Sequence, residues 1–292
     1  MSSLDRLFQQ FLQERTYLQN VSPRTIQWYE SAWGAFRATQ SVWPPSDAGP
    51  LLARAHLTAF IVSLRRRGVK PVSCNTWSKA INAFCLWLHK QGAIPEPLKI
   101  DPLRVERRLI KTLDDAQIRN IVRDKPETFP RWRIHALACT ILDTGCRIEE
   151  LLTAPVSAFD MDNMLLTVVG EGEKERKVPF SPELRKVLFR YSQWREKTCG
   201  PTTWMFAART GGTWGKRAQP LLMLKRLGLP KSGFHLLRHT FATQYLRAGG
   251  DVVRLSKTLG HTQISTTMRH LPLLIGDLQV AHRRISILER IR

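Results

Sequence analysis

Four residues of this 292-residue chain have types and spacing suited to chemistry: Arg147, His235, Arg238 and His261. His235 and Arg238 lie three apart, so on a helix they share one face. A guanidinium presents a planar fork of donors that matches two oxygens of a phosphate. An imidazole beside it can move a proton near neutral pH. Arg147 offers a second fork, placed just after a Thr144-Gly145 break; its alternative use is an ion pair with Glu150, three residues on. His261 follows Leu259-Gly260, a turn that lets a helix end approach closely. His239 falls on a different helical face from His235 and Arg238. His270 closes the stretch Phe234–Leu271, where basic residues outnumber the carboxylates that would neutralise them. The arrangement reads as a grip for an anion.

The net charge says which kind of anion. It is +21, with 15 basic and 7 acidic residues through Ile110 and 30 and 17 beyond it, so the excess is not confined to a tail. A folded chain with that balance points to a polyanion, and nucleic acid comes first. The bland alternative is a generally basic surface. No apolar run approaches the ~20 residues of a membrane span, so no membrane association is expected. Five cysteines without a CxxC pair read as reduced thiols, and with the absence of a signal peptide in MSSLDRLFQQ they predict a cytoplasmic protein with no metal.

The elements that must position these residues follow from periodicity. Leu4 to Leu18 have helical spacing, and Ser22-Pro23 is a helix start leading to Ile26, Tyr29, Trp33 and Phe36. Residues 42–50 form a loop. A third helix carries Leu57, Phe60 and Leu64 and stops at Gly68. A fourth runs from about Ser73 to Gly92. These four helices make an all-α domain over residues 1–92. Arg65, Arg66 and Arg67 end the third helix and suit either phosphate contact or a solvated C-terminal cap. Lys79 on the fourth helix and Arg176 farther on are further candidates for DNA contact. Residues 93–110, with Pro95, Pro97 and Pro102, read as a linker, and a second domain spans 111–292.

In that second domain Thr112 to Asp115 has the form of a helix start, and 134–142 is a buried helix that restarts at Arg147. Met164–Val169 and Lys174–Phe180 are strands of a hairpin turning at 170–173. Ser181-Pro182 opens a helix to about Arg195, and Trp204–Phe206 reads as a short strand. Helices are expected near 216–227, 235–248, 251–259 and 263–270, with an amphipathic tail from Asp277. The fold class is mainly α with a small β-sheet.

The ordered boxes resemble those of the tyrosine recombinases, or phage integrases, including the Xer-like enzymes. Thr144-Gly-Cys-Arg-Ile-Glu-Glu-Leu-Leu152 is similar to their first-arginine box and His235-Leu-Leu-Arg-His-Thr240 to their HxxR box. Leu259-Gly-His-Thr-Gln-Ile-Ser-Thr-Thr267 resembles the segment ahead of the nucleophile, and Gly170–Pro179 the lysine hairpin. The resemblance implies a four-helix core-binding domain and a mixed catalytic domain closing as a C-shaped clamp on double-stranded DNA. It implies strand cleavage and rejoining at a phosphodiester: two arginines stabilise the charge on the non-bridging oxygens, a tyrosine attacks phosphorus, a lysine helps the 5′-oxygen leave, and histidines handle protons. Because the covalent intermediate conserves the bond energy, no cofactor is implied. It also implies a homo- or hetero-tetramer on DNA, assembled through a C-terminal helix at 277–292.

Two positions depart from the family pattern. Counting from Leu259-Gly-His261, the nucleophile falls at 270, which here is His270. The four tyrosines are Tyr17, Tyr29, Tyr191 and Tyr245, and Tyr245 reads as a packing residue in mid-helix. Where relatives read GKGxK, this hairpin has Glu171 at the first lysine, leaving Lys174 to serve or to be a solvated strand residue. An imidazole can attack phosphorus, but a site shaped for a phenol does not suit the shorter ring. The expectation is a site-specific recombinase or integrase family protein that binds duplex DNA and holds the scissile phosphate but is cleavage-defective. The alternative is a non-catalytic regulatory member that occupies recombination sites or assists an active partner. A nuclease reading lacks the acidic metal cluster such enzymes use.

Overall fold

A computed structural model describes residues 3–39, 51–105, 112–170, 174–214 and 233–260. The chain divides into two compact units, Met1–Arg108 and Leu109–Arg292.

The first unit is helical: α1 (Ser3–Gln13), α2 (Pro23–Arg37), α3 (Arg54–Arg66) and α4 (Pro71–Lys90). Aromatic residues fill its core. Phe8 stacks on Trp33 at 4.5 Å and meets Phe84 edge-on at 5.2 Å. Ser22 caps α2 by accepting from the Thr25 N–H, with Pro23 in the first turn. The helical periodicity of residues 4–19 is only partly kept. After Gln13 the chain loosens into a π-helical turn (Glu14–Leu18), and Tyr17 and Leu18 are exposed, not packed. Glu14 there accepts from Trp87 Nε1 at 2.7 Å, tying the turn to α4. α4 starts at Pro71, two residues before the expected Ser73, because proline suits a first helical turn.

Residues 93–103 are not a free linker in this structure. Ile94, Leu98 and Ile100 are buried in the aromatic core. Asn82 exchanges two hydrogen bonds with the Ile100 backbone and Asn75 two with Leu103. Proline removes periodicity and donors, but the side-chain amides supply the backbone partners that an irregular segment needs.

The second unit is built on α6 (Phe129–Thr144), which is buried along most of its length. Around it lie α5 (Asp115–Val122), α7 (Ile148–Leu152), α8 (Pro182–Cys199), α9 (Gly233–Arg247) and α10 (Val252–Leu259). A 3₁₀ turn (Val156–Ala158) leads into a three-stranded antiparallel sheet of β1 (Phe159–Asp160), β2 (Leu165–Val169) and β3 (Glu175–Pro179), in the order β1-β2-β3. The protein is thus mainly α with a small sheet. Within the helix start expected at Thr112 to Asp115, the α5 cap is Asp114: it accepts from the Gln117 N–H at 2.8 Å, and Gln117 Oε1 accepts from the Asp114 N–H at 3.1 Å. Trp204 makes an isolated bridge to Pro155 and not a strand. Among the described residues no helix is long and apolar enough to cross a membrane. The expected 42–50 loop, the helices near 216–227 and 263–270, and the 277–292 tail lie outside the described residues.

Candidate functional site

Two left-handed glycines set up the site. Gly145 ends α6 at φ +65°, and Gly260 ends α10 at φ +64°. Each turns the chain sharply, as a C-cap glycine can. A Cβ on Gly145 would collide with the Phe241 ring and come within 2.8 Å of Leu259 Cδ2, so α6, α9 and α10 meet closely there.

Arg147 stands at the N-cap of α7, immediately after the first turn. Its backbone N–H donates to Glu150 Oε2 at 2.8 Å. Its Nη1 donates to Glu150 Oε1 at 3.0 Å, and its Nη2 to the Gly260 carbonyl at 3.2 Å. The pair with Glu150 and a place in the anion grip were alternatives in the sequence. The structure shows the pair, with the Arg147 side chain still 32% exposed. Arg238 comes from α9 and is buried. It donates through Nη1 to the Gly145 carbonyl and through Nη2 to the Leu259 carbonyl, both at 2.7 Å. Two arginines from separate segments therefore converge on the adjacent carbonyls of Leu259 and Gly260.

A third arginine joins them. β2 and β3 pair so that Arg176 lies opposite Val168. Paired residues share a sheet face, and Val168 and Val178 are both buried, so Arg176 is turned inward. It grips Glu150 with both forks, Nη1 to Oε1 at 2.9 Å and Nη2 to Oε2 at 2.8 Å. Its Nε donates to the Thr258 carbonyl at 2.8 Å. Arg176, expected as a DNA contact, thus has its guanidinium engaged with Glu150 and the Thr258 carbonyl. Its sequence signal was the two-residue spacing from Val178.

The electrostatics follow from three cations and one buried carboxylate. Burial alone would raise the Glu150 carboxyl, but hydrogen bonds from Arg176 and then Arg147 hold it below the ordinary carboxylate range. Burial would lower Arg176, and Glu150 overcomes it, raising the guanidinium. Arg238 is pushed down to about 10, first by burial and then by repulsion from Arg147. Cations that repel one another across a small space, with Glu150 supplying one negative charge, favour an added anion.

Of the other expected residues, His235 is on α9 one turn before Arg238 and exposed. His239 is half-buried on the same helix. Lys174 is exposed just before β3, its carbonyl accepting from the Gly170 N–H. Glu171, His261 and His270 lie outside the described residues. In the first unit Arg65, Arg66, Arg67 and Lys79 are exposed, and Arg65 also donates to the Val69 carbonyl, part of a C-terminal cap. All four tyrosines are described. Tyr17 and Tyr29 belong to the first unit. Tyr191 is buried and donates to the Met205 carbonyl, and Tyr245 packs against Phe241 and close under Gly250. No tyrosine hydroxyl is bonded to the arginine cluster.

Comparison with known proteins agrees over both units. The Phage integrase family matches residues 111–273. The chain is 29% identical to the tyrosine recombinase XerC of Xanthomonas campestris pv. campestris (strain B100) over 266 residues, covering 88% of this chain and 81% of the relative. It is 30% identical to XerC of Xylella fastidiosa (strain 9a5c) over 243 residues, covering 81% and 79%. Its fold is similar to that of the Tn1549 transposon integrase solved in complex with transposon right end DNA, with a TM-score of 0.77 at 19% identity, covering 98% of this chain and all of that one.

Proposed function

The chain belongs to the phage integrase family of tyrosine recombinases, and from that premise we propose that it binds duplex DNA and seats one backbone phosphate beside Arg147 and Arg238 without cutting the strand. The observation that carries this reading is the convergence of both guanidiniums on the adjacent carbonyls of Leu259 and Gly260, with Glu150 as the buried counter-charge. In this reading Arg147, the more accessible fork, meets the non-bridging oxygens, and charge on them is stabilised by preorganised donors. Arg238 holds the Gly145 and Leu259 turns together and adds positive field from behind. His235 and His261 flank the phosphate as hydrogen-bond donors. Arg65, Arg66, Arg67 and Lys79 add phosphate contacts from the first unit.

Cleavage is where the chain departs from its family. His270 occupies the nucleophile's place, and Glu171 puts a negative charge where the leaving group's lysine belongs. Both changes act against strand scission, which favours a DNA-binding, cleavage-defective member. Residues 277–292 dock on a neighbouring protomer, so that the protein occupies paired sites cooperatively, alone or with a cleaving partner.

A nicked suicide duplex tests the reading. The protein as it stands should shift the duplex and yield no covalent protein–DNA band. His270→Tyr combined with Glu171→Lys should yield the band. A covalent band from the unaltered protein would overturn the cleavage-defective reading, and one that survived His270→Ala would put the nucleophile elsewhere. Failure to shift any duplex would overturn the DNA-binding reading itself.

A further inference from the structure

The outer side of α8 carries a feature that DNA binding at the arginine cluster does not use. A groove of about 700 Å³ runs between this helix and the 3₁₀ turn and β1, and none of Arg147, Arg176 and Arg238 lines it. Its floor is apolar: Phe159 and Met205 are buried, Met161 packs beside them, and Phe189 from α8 stands 62% exposed. A large aromatic side chain left in water along an apolar groove is a binding-surface signal when it is rimmed by polar groups. The rim here is basic. Arg185, Lys186 and Arg190 are exposed along it, and Glu196 is its carboxylate. Asp162 approaches Arg185 only at 3.7 Å, and Glu183 meets Lys186 at 2.7 Å; all four side chains are solvated, so neither pair neutralises the rim strongly.

Arg195 closes one end of the groove and is 4% exposed. Its Nη1 donates to Met205 Sδ, Nη2 reaches the exposed Glu196 at 3.4 Å, and Nε has no hydrogen-bond partner. A buried guanidinium held by a thioether and one long carboxylate contact is short of acceptors.

We propose that this groove docks an acidic peptide of a partner protein, with one aromatic or aliphatic side chain seated against Phe189 and its flanking carboxylates on Arg185 and Arg190. Two features of the groove select this occupant. Duplex DNA would satisfy the rim but gain nothing from the apolar floor, because backbone phosphates want donors. The chain's own tail is a poor fit by charge, since residues 277–292 set Arg283, Arg284, Arg290 and Arg292 against Asp277 and Glu289. An anchor with flanking carboxylates matches floor and rim together, and aromatic and arginine positions carry most of the energy in such contacts.

The test is selection of displayed random peptides on the full chain, followed by polarisation binding of a fluorescein-labelled winner. Selected peptides should carry Asp or Glu beside one apolar residue. Phe189→Ser and Arg190→Glu, both at exposed positions, should each weaken the winner by about tenfold or more, as loss of an anchor does. Both variants should keep the parent's thermal melt and its affinity for a duplex, which separates this proposal from the phosphate clamp. Selection without acidic bias, or winners that bind both variants as tightly as the parent, would overturn it. So would an equal loss of duplex affinity in the variants, which would assign the rim to DNA.

Discussion

Arg176 and Glu150 form a two-pronged ion pair, with N–O distances of 2.9 and 2.8 Å, between β3 and α7. Glu150 Oε1 also accepts from Arg147. One carboxylate is therefore shared by two guanidiniums, and this sharing leaves the site with surplus positive charge. If Arg176 were absent, Glu150 would neutralise Arg147 by itself. The phosphate seat proposed at Arg147 would thus depend on Arg176, which reaches Glu150 from the inner face of the sheet.

Arg176→Gln should accordingly weaken duplex binding, and Glu150→Gln added to it should restore part of the loss. Removing one partner of a buried pair costs about 3–5 kcal/mol, with the lower end expected here because Arg147 still pairs with Glu150. Urea melts and duplex titrations on both variants check this. Equal duplex affinity in parent and Arg176→Gln would show that the shared carboxylate does not govern the site.

The two C-cap glycines should fail in different ways. Both have positive φ, so alanine at either is strained by about 1–2 kcal/mol. Gly145→Ala also drives a methyl into Phe241 and Leu259, adding about 1–3 kcal/mol of overpacking in the helix junction. At Gly260 the methyl would sit 2.9 Å from Arg176 Cζ, the end of a long side chain that can give way only by stretching its bonds to Glu150 and the Thr258 carbonyl. Gly260→Ala should therefore lose less stability than Gly145→Ala and more of its duplex affinity per unit of stability lost. The reverse ranking in melts would contradict the contacts drawn here.

What the sequence made legible was periodic or capped. Ser22-Pro23 and Ser181-Pro182 announced their helices because both signals are local, and both serines cap as expected. The residue types and the turns beside them likewise singled out Arg147 and Arg238, two of the three arginines that the structure brings together. The inward turn of Arg176 was harder to see, since it depends on a cross-strand register with Val168 as well as on parity with Val178. The docking of 93–103 was hidden by its prolines; its anchors, Asn75 and Asn82, lie on a helix 18 to 28 residues away. Nor could the sequence show that Arg238 faces the Gly145 and Leu259 carbonyls, because those contacts join segments 93 and 21 residues apart.

Charge and geometry at Arg147 can be separated. Arg147→Lys keeps the charge and loses the fork, so the slope of log affinity against log salt should stay as in the parent while affinity drops. Arg147→Gln loses both, and its slope should become shallower by about 0.9 for the one phosphate contact removed. Titrations at several salt concentrations decide. An Arg147→Gln slope equal to the parent's would mean that this side chain meets no phosphate.

Two buried histidines should make the fold acid-sensitive before the carboxylates matter. His56 Nδ1 accepts from the Ala53 N–H at 3.0 Å at the start of α3, a bond that the protonated ring cannot accept. His135 is buried in α6 with Cys139 Sγ 3.7 Å from its Nε2. Burial lowers both below the ordinary value of about 6.5, with Asp124 opposing part of the shift at His135. A folded value below the unfolded one means that the unfolded chain binds more protons in that interval. Stability is therefore complete above about pH 6.5 and is lost as the pH falls through the folded values. Glu150, held below the carboxylate range, stays charged across this window and adds its own loss only at lower pH. Thermal melts at about pH 7.5 and about pH 5.5 should show the decline, and His135→Phe, which cannot be protonated, should reduce it while leaving the His56 share. A parent that melts alike at both values would refute the assignment.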